Sequence, residues 1–72
     1  MKAYAVYYKM HSESEPKLID LLARNRIDAY DKSVFELIPA REGGLPYSAW
    51  VASVTYNNGN CKRFNTFEGN PY

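Results

Sequence analysis

Two side chains in this 72-residue chain, Cys61 and His11, could together act as a nucleophile and its base. Covalent catalysis by a thiol needs an imidazole within hydrogen-bond reach and a third group that orients the imidazole. A single thiol in a strand is usually a small, partly buried apolar residue, and a histidine between a strand and a helix is usually hydrated. The sequence therefore favours structural or surface roles for both residues, and we predict that the protein is not an enzyme.

Two other sequence patterns could bind a metal ion or a phosphate group. Glu13 and Glu15, beside His11, offer oxygen and nitrogen ligands, but carboxylates at this place are better explained as charges in the first turn of a predicted helix. The Gly43-Gly44 pair lacks the lysine and hydroxyl residues of a phosphate-binding loop and precedes a predicted strand. We therefore predict neither a metal site nor a cofactor.

The segment 62–67 is the best local candidate for nucleic-acid binding. Lys62 and Arg63 supply cations for phosphates, and Phe64 supplies a ring on which a base can stack. The glycines that mark the aromatic strand of an RNA-recognition motif are missing, and only two cations cluster there. Single-stranded nucleic-acid binding through these three residues is the alternative function, beside the simpler interpretation that Phe64 is a core residue and both cations are hydrated.

Charge and composition narrow the class of protein. A formal net charge of +1 argues against a strongly basic nucleic-acid binder and against an acidic mimic of DNA. A single cysteine excludes a secreted disulfide scaffold and fits a reducing compartment. No apolar run approaches the ~18 residues of a membrane span, and residues 1–6 read as a strand rather than a signal peptide. We predict a cytoplasmic protein without a membrane partner.

Apolar periodicity sets the order of the predicted elements. Residues 2–10 alternate as a strand that is apolar on both faces. Residues 16–25 place their leucines and isoleucine within an arc of roughly 160°, which predicts an amphipathic helix capped by Ser14 and ended by Asn25. Residues 33–38 alternate again and predict a second strand that ends before a proline.

The Asn58-Gly59 pair predicts a tight hairpin turn between two further strands. A two-residue turn, the preferred register, pairs Val54 with Arg63. A three-residue turn with a glycine bulge moves Phe64 opposite Val54 and turns Arg63 to the other face. The predicted apolar face of the first hairpin strand consists of Trp50, Ala52, Val54 and Tyr56.

These elements predict an α+β fold in the order β-α-β-β-β, with one helix packed on one face of a largely antiparallel four-stranded sheet. The chain is predicted to be a single small domain over residues 1–72, with a frayed tail at 68–72. The glycine pair and flanking prolines predict a mobile loop at 41–47. The second face of the sheet is predicted to stay open.

The aromatic content points to binding. Seven Tyr, three Phe and one Trp are more than so small a core can enclose, and surface aromatic and arginine side chains are typical of protein interfaces. The predicted binding residues are Tyr7, Tyr8, Tyr30, Arg41, Tyr47, Lys62, Arg63 and Tyr72. We therefore predict a non-enzymatic module that acts by occupying a surface of a larger protein or nucleoprotein complex.

Two narrower predictions accompany this one. An exposed edge strand can pair with a second copy, which allows a homodimer. Small cytosolic proteins of this build are often phage or mobile-element inhibitors of host defence, of the anti-CRISPR or anti-restriction kind that does not mimic DNA. The prediction of an inhibitor rests only on the small size and fold class of the chain. No residue motif specifies it.

Overall fold

The computed structural model of the protein describes residues 1–64. In chain order its elements are β1 (Lys2–Lys9), β2 (Lys17–Ala23), α1 (Arg26–Lys32), a π-helix (Ser33–Leu37), α2 (Ile38–Glu42), β3 (Ser48–Thr55) and β4 (Cys61–Arg63). The strands form one antiparallel sheet in the order β2-β1-β3-β4. The helical segment from α1 to α2 packs on one face of this sheet. The predicted α+β class is confirmed, with helical structure packed on one face of a four-stranded antiparallel sheet.

The core lies between the sheet and the helical segment. Its buried cluster consists of Tyr4, Val6, Ala23, Ala29, Val51 and Val54. We call the side of the sheet that carries Tyr4, Val6 and Tyr8 the covered face. The opposite side is the open face, against which no element within residues 1–64 packs.

The predicted helix at residues 16–25 is wrong, because this segment forms β2. It pairs with β1 along its whole length. Ile19 and Leu21 pack against the core cluster, whereas Leu18 and Leu22 are exposed on the open face. A short run of apolar residues fits a helical arc and a buried strand alike, and pairing with β1 decides between them. The element order is therefore β-β-α-β-β and not the predicted β-α-β-β-β.

The predicted strand at residues 33–38 is also wrong, because it continues the helical segment. Val34 and Ile38 are buried four residues apart on one side of the helix, and Phe35 and Leu37 are exposed on the other. Over only six residues, the apolar positions of a helix can alternate as they do in a strand, and this similarity explains the wrong prediction.

Pro39 explains the wide turn inside the helical segment. A proline has no N–H, and its ring clashes with the carbonyl four residues earlier. In the π-helix just before it, the N–H of Ile38 donates to the carbonyl of Ser33, five residues back, so the chain continues into α2. The predicted loop at 41–47 begins later than expected, since α2 ends at Glu42 and Gly43 caps it with a φ of 85°.

Asn25 begins α1 instead of ending a helix. Its backbone is extended, and its Oδ1 accepts a hydrogen bond of 2.8 Å from the N–H of Asp28. The Asp28 carboxylate accepts in turn from the backbone N–H of Arg24 at 3.0 Å. That backbone hydrogen bond, aided by the nearby cation of Lys32, lowers the pKa of Asp28.

A bulge in β3 interrupts its pairing with β1. Ala5 pairs with Ser53, but the next residue, Val6, pairs with Val51. Ala52 is therefore an extra residue without a partner on β1. Beyond it, the alternation of side chains along β3 is reversed.

The reversal determines which residues of β3 reach the core. Val51 and Val54 lie three residues apart and are both buried. The predicted apolar face that includes Trp50 is consequently wrong, because Trp50 lies opposite Tyr7 on the open face.

The hairpin turn uses the three residues 57–59. The N–H of Tyr56 donates to the carbonyl of Asn60 at 2.8 Å, and the N–H of Gly59 donates to the carbonyl of Tyr56 at 2.9 Å. Gly59 has a φ of 88°, a left-handed conformation that a residue without Cβ adopts at no steric cost.

The preferred two-residue register is therefore wrong. A three-residue turn with a glycine is present, but it shifts the strand in the direction opposite to the predicted alternative. Val54 pairs with Lys62, and Ser53 pairs with Arg63. Lys62 thus lies on the covered side of the sheet and Arg63 on the open face, while the predicted partner of Trp50, Phe67, lies outside the described residues.

Candidate functional site

The open face has an apolar centre. Tyr7 of β1 and Trp50 of β3 lie side by side, with ring centroids 5.8 Å apart and ring planes at 29°. On the neighbouring strand β2, the side chains of Leu18 and Leu22 are 45% and 62% exposed. Large apolar side chains grouped on one uncovered surface are typical of sites that contact other proteins.

A row of four residues crosses the open face beside this aromatic pair. The strand register places Asp20, Ala5, Ser53 and Arg63 side by side on β2, β1, β3 and β4. The small side chains of Ala5 and Ser53 help to form a shallow depression of about 340 Å³. A carboxylate and a guanidinium therefore stand at opposite ends of one row.

The predicted binding residue Tyr8 lies in the core instead of on the surface. It is fully buried, and its hydroxyl donates to Oε2 of Glu42 at 2.6 Å. Lys17 Nζ lies 3.1 Å from the same oxygen and 2.8 Å from Oε2 of Glu13. Of the two adjacent tyrosines on β1, Tyr7 is the one on the open side, as strand alternation predicts.

The contacts shift the pKa values of Tyr8, Lys17 and Glu42, each toward the protonation state that its hydrogen bonds require. Burial, followed by the hydrogen bond to Glu42, raises the pKa of Tyr8. Hydrogen bonds from Tyr8 and Lys17 lower the pKa of Glu42, and hydrogen bonds to Glu13 and Glu42 raise the pKa of Lys17. Through Glu42, these contacts connect the end of α2 to Tyr8 of β1 and Lys17 of β2, so the role of the network is structural.

The remaining predicted binding residues do not gather into one site. Tyr30 is half-buried and packs against the core from α1. Arg41 is exposed in the last turn of α2. Tyr47 is 68% exposed, and its ring lies edge-on to His11 with centroids 5.4 Å apart. Tyr72 lies outside the described residues.

A second concave site lies where α1 begins, and we call it the cationic cleft. Its volume is about 450 Å³, and its lining includes Arg26, Tyr56, Lys62 and Phe64. The guanidinium carbon of Arg26 lies 3.9 Å from the centroid of the Phe64 ring, and Nζ of Lys62 lies 5.8 Å from it. Lys2 Nζ lies 5.5 Å from the Tyr56 ring. Cations and rings meet here at cation–π distances.

The hairpin register separates the three residues predicted to bind nucleic acid. Lys62 and Phe64 line the cationic cleft, whereas Arg63 lines the depression on the open face. Phe64 borders both concave sites. Arg26, which is not among the predicted binding residues, lines the cleft beside Lys62, where Arg63 was expected.

Cys61 and His11 lie at opposite ends of the sheet. Cys61 pairs with Thr55, which pairs with Ala3 near the start of β1, while His11 follows the end of β1. A strand rises about 3.3 Å per residue, so the two side chains are separated by roughly 20 Å and cannot share a proton. Within residues 1–64, no group of three His, Cys, Asp or Glu side chains is arranged to hold a metal ion.

Comparisons with known proteins assign the chain to no group. No protein-family model matches it, and no curated protein and no solved structure is significantly similar to it. In the described part of the chain, no helix is long and apolar enough to cross a membrane. Function must therefore be inferred from the two surfaces themselves.

Sequence reasoning missed five residues of these surfaces, namely Leu18, Asp20, Leu22, Arg26 and Trp50. The residues of β2 were assigned to a helix, and the bulge that turns Trp50 to the open face has no signal in the sequence. The sequence does contain a signal for the position of Arg26. Asn25 is followed three residues later by the acidic Asp28, a pattern that marks a helix start, and Arg26 is the first residue of that helix.

Proposed function

We propose that this protein is a non-enzymatic protein-binding module whose contact surface is the open face of the sheet. The observation that carries the proposal is the Tyr7–Trp50 pair beside the exposed side chains of Leu18 and Leu22, on a face left uncovered by residues 1–64. Protein interfaces concentrate aromatic anchors at the centre and charges at the rim. The open face follows the same plan, with Asp20 and Arg63 on the two edge strands and Lys9 at the end of β1.

In this proposal the module acts in the cytoplasm by occupying a surface of a larger protein or complex. The exposed thiol of Cys61 fits a reducing compartment, where such a group persists. Inhibition of host defence by a phage or mobile element is a narrower form of the same proposal. It is supported only by the small size and build of the chain, since a module this small would block a target by covering it.

A matched pair of substitutions tests the contact surface. The side chains of Leu22, on the open face, and Phe35, on the outer side of the helical segment, are both 62% exposed. Leu22→Ser and Phe35→Ser therefore remove similarly exposed apolar side chains from different surfaces. Each tagged variant is used to capture partners from a nuclease-treated lysate of the source cell, and the recovered protein is quantified by mass spectrometry.

We expect Leu22→Ser to lower recovery of a stoichiometric partner about fivefold or more, which is the effect of losing a contact worth about 1 kcal/mol. Phe35→Ser should leave recovery unchanged. Retention of the partner by Leu22→Ser, or its loss in Phe35→Ser alone, contradicts the proposal. Thermal unfolding of both variants confirms that each is folded.

Binding of single-stranded nucleic acid is the second candidate function, and the cationic cleft is the observation that favours it. Arg26 and Lys62 flank Phe64 at 3.9 Å and 5.8 Å. Single-strand binders combine cations for the phosphates with rings on which bases stack. The near-neutral net charge of the chain, +1, makes this the weaker candidate.

Adjacent residues on opposite faces of β4 provide its test. Lys62 lines the cationic cleft and Arg63 does not. If the cleft binds nucleic acid, Lys62→Ala should weaken binding of a labelled single-stranded oligonucleotide and reduce the salt slope by about 0.7, whereas Arg63→Ala should change neither. Equal effects of both substitutions, or no binding by the unmodified protein in physiological salt, exclude this function.

A further inference from the structure

The charges on the open face indicate what can cover it. We propose that two copies of this chain pack open face to open face, related by a twofold axis parallel to the strands. The inference rests on the proposed function, because it names an occupant for the same contact surface. It differs from the predicted homodimer, which pairs edge strands.

The strand order sets the geometry of such a pair. In the order β2-β1-β3-β4, the middle of the sheet lies between β1 and β3. A twofold rotation about an axis along the strands brings β2 of one copy over β4 of the other, and β1 over β3. Each row of residues across the sheet then faces the same row of the second copy in reverse order.

Under this rotation the two charged residues of the polar row meet. Asp20 and Arg63 occupy opposite ends of one row, on β2 and β4. Three strand spacings of about 4.8 Å separate their backbones by roughly 14 Å, too far for an ion pair within the chain. Neither residue forms a salt bridge with any residue between 1 and 64. In the pair, each reaches its opposite on the second copy, which gives two reciprocal ion pairs.

The apolar residues of the open face match under the same rotation. Tyr7 on β1 faces Trp50 on β3 of the second copy, so the two aromatic pairs form one layer at the centre of the interface. Leu22 on β2 faces the β4 residue of its own row, Cys61, whose side chain is also exposed. Apolar contacts thus fill the centre and one flank, and ion pairs lie at the two edges.

Two alternative arrangements of two copies bring like charges together. A twofold axis across the strands places each strand over its own counterpart, so Asp20 meets Asp20 and Arg63 meets Arg63. Antiparallel pairing along the full length of β2 is centred on Asp20, the middle residue of Lys17–Ala23, and again opposes two carboxylates. With the proposed axis, by contrast, each Asp20 faces an Arg63 of the second copy.

The size of the face limits the strength of the pair. Four strands spaced by about 4.8 Å and seven residues at about 3.3 Å each give a footprint of roughly 400 Å² per copy. Stable interfaces bury about 800 Å² per partner, so we expect a dissociation constant on the order of 10–100 μM. A larger partner that binds the same face competes with the second copy.

Charge reversal tests the pair by analytical ultracentrifugation of the full chain from 5 μM to 1 mM. The samples are the unmodified protein, Asp20→Arg, Arg63→Asp and an equimolar mixture of the two variants. We expect the unmodified protein to dimerise, and each variant alone to dimerise at least about tenfold more weakly because the symmetry doubles every introduced repulsion. The mixture should recover dimers, since a dimer of the two different chains contains two ion pairs, one between the native residues Arg63 and Asp20 and one with the signs reversed.

Recovery in the mixture separates an intermolecular contact from a folding defect, because a misfolded variant is not rescued by another chain. Lys62→Asp, a charge reversal next to Arg63 but on the covered side, is the matched control and should dimerise normally. If Arg63→Asp dimerises as strongly as the unmodified protein, the copies pair through edge strands and the proposal is overturned. An unmodified protein that is still monomeric at 1 mM also overturns it. A monomer that still captures its partner in a manner sensitive to Leu22→Ser overturns only the pairing of two copies; loss of both overturns the proposed function as well.

Discussion

The covered and open faces of the sheet belong to the same strands, yet neighbouring residues meet different surroundings on them. Tyr8 on the covered face is fully buried and donates its hydroxyl to Glu42, whereas the adjacent Tyr7 lies half-buried against Trp50. The two side chains are chemically identical. Their difference shows that strand alternation and the cover of the helical segment, and not residue type, decide which aromatic residues build the core and which are available to a partner.

The largest expected effect separates these two tyrosines directly. Tyr8→Ala should destabilise the fold by about 3–5 kcal/mol, because it removes a buried ring and leaves a cavity. In a domain of this size that is a large part of the whole stability. Tyr7→Ala should cost about 1 kcal/mol, since its ring is only partly covered. Urea unfolding followed by circular dichroism measures both, and equal costs contradict the assignment of the two faces.

The next effect isolates the hydroxyl groups of the same pair. Tyr8→Phe should cost about 1.5–3 kcal/mol, because the buried hydroxyl donates to the Glu42 carboxylate and the substitution removes that hydrogen bond. Tyr7→Phe should stay within about 0.5 kcal/mol of the unmodified protein. The same unfolding experiment tests the pair, and a costly Tyr7→Phe places an unrecognised hydrogen bond on the open face.

A smaller effect tests the turn that sorts Lys62 and Arg63 onto different faces. Gly59→Ala should cost about 1–2 kcal/mol, because a φ of 88° is strained for a residue with a Cβ. Gly44→Ala is the control, since Gly44 does not have a positive φ and a Cβ built there meets no atom within 4 Å. Equal stability of the two variants argues against the three-residue turn.

The smallest effect concerns the pH dependence of the network behind Tyr8. The folded pKa of Glu42 is lowered, so its stabilisation is present above about pH 4.3, the ordinary glutamate value, and is lost as the pH falls through the folded pKa. The folded pKa of Tyr8 is raised, so its stabilisation is present below about pH 10 and is lost as the pH rises through the folded pKa.

We therefore expect stability to be level from about pH 5 to pH 9 and to fall on both sides. Glu42→Gln should make the acid side less steep, whereas substitution of the exposed Glu36 with Gln should not. Urea midpoints measured across pH 3–10 provide the comparison. An unchanged acid side in Glu42→Gln shows that other carboxylates control it.

Much of the architecture could be predicted from the sequence, because it depends on strong local signals. The alternation in residues 2–10 predicts β1, and a glycine after two asparagines predicts the hairpin turn. The aromatic surplus predicts that some tyrosines lie at the surface, and Tyr7 lies beside Trp50 on the face that no element within residues 1–64 covers.

The segment predicted as a helix is a strand, and the segment predicted as a strand is helical; the first of these errors has a clear physical cause. Residues 17–23 contain adjacent apolar residues that satisfy a helical and an extended period alike, so only the pairing with β1 identifies the strand. Asn25 carries a capping signal that is compatible with either end of a helix, and the carboxylate of Asp28 three residues later marks it as a start.

The composition of the candidate site depends on two details that local patterns do not contain. The bulge at Ala52 turns Trp50 to the open face, and the hairpin register turns Arg63 to the same face. Both are one-residue shifts of a strand, and each changes which side chains share a surface. A strand with strict alternation, such as β1, can therefore be predicted more readily than the membership of a site on a sheet.

The most direct test of the open face as the contact surface is amide and indole NMR of the isotope-labelled protein as the captured partner is added. We predict that the indole N–H of Trp50 and the amides of Tyr7, Leu18 and Ser53 shift, while those of the helical segment keep their positions. Shifts confined to the helical segment or to the residues of the cationic cleft contradict this account.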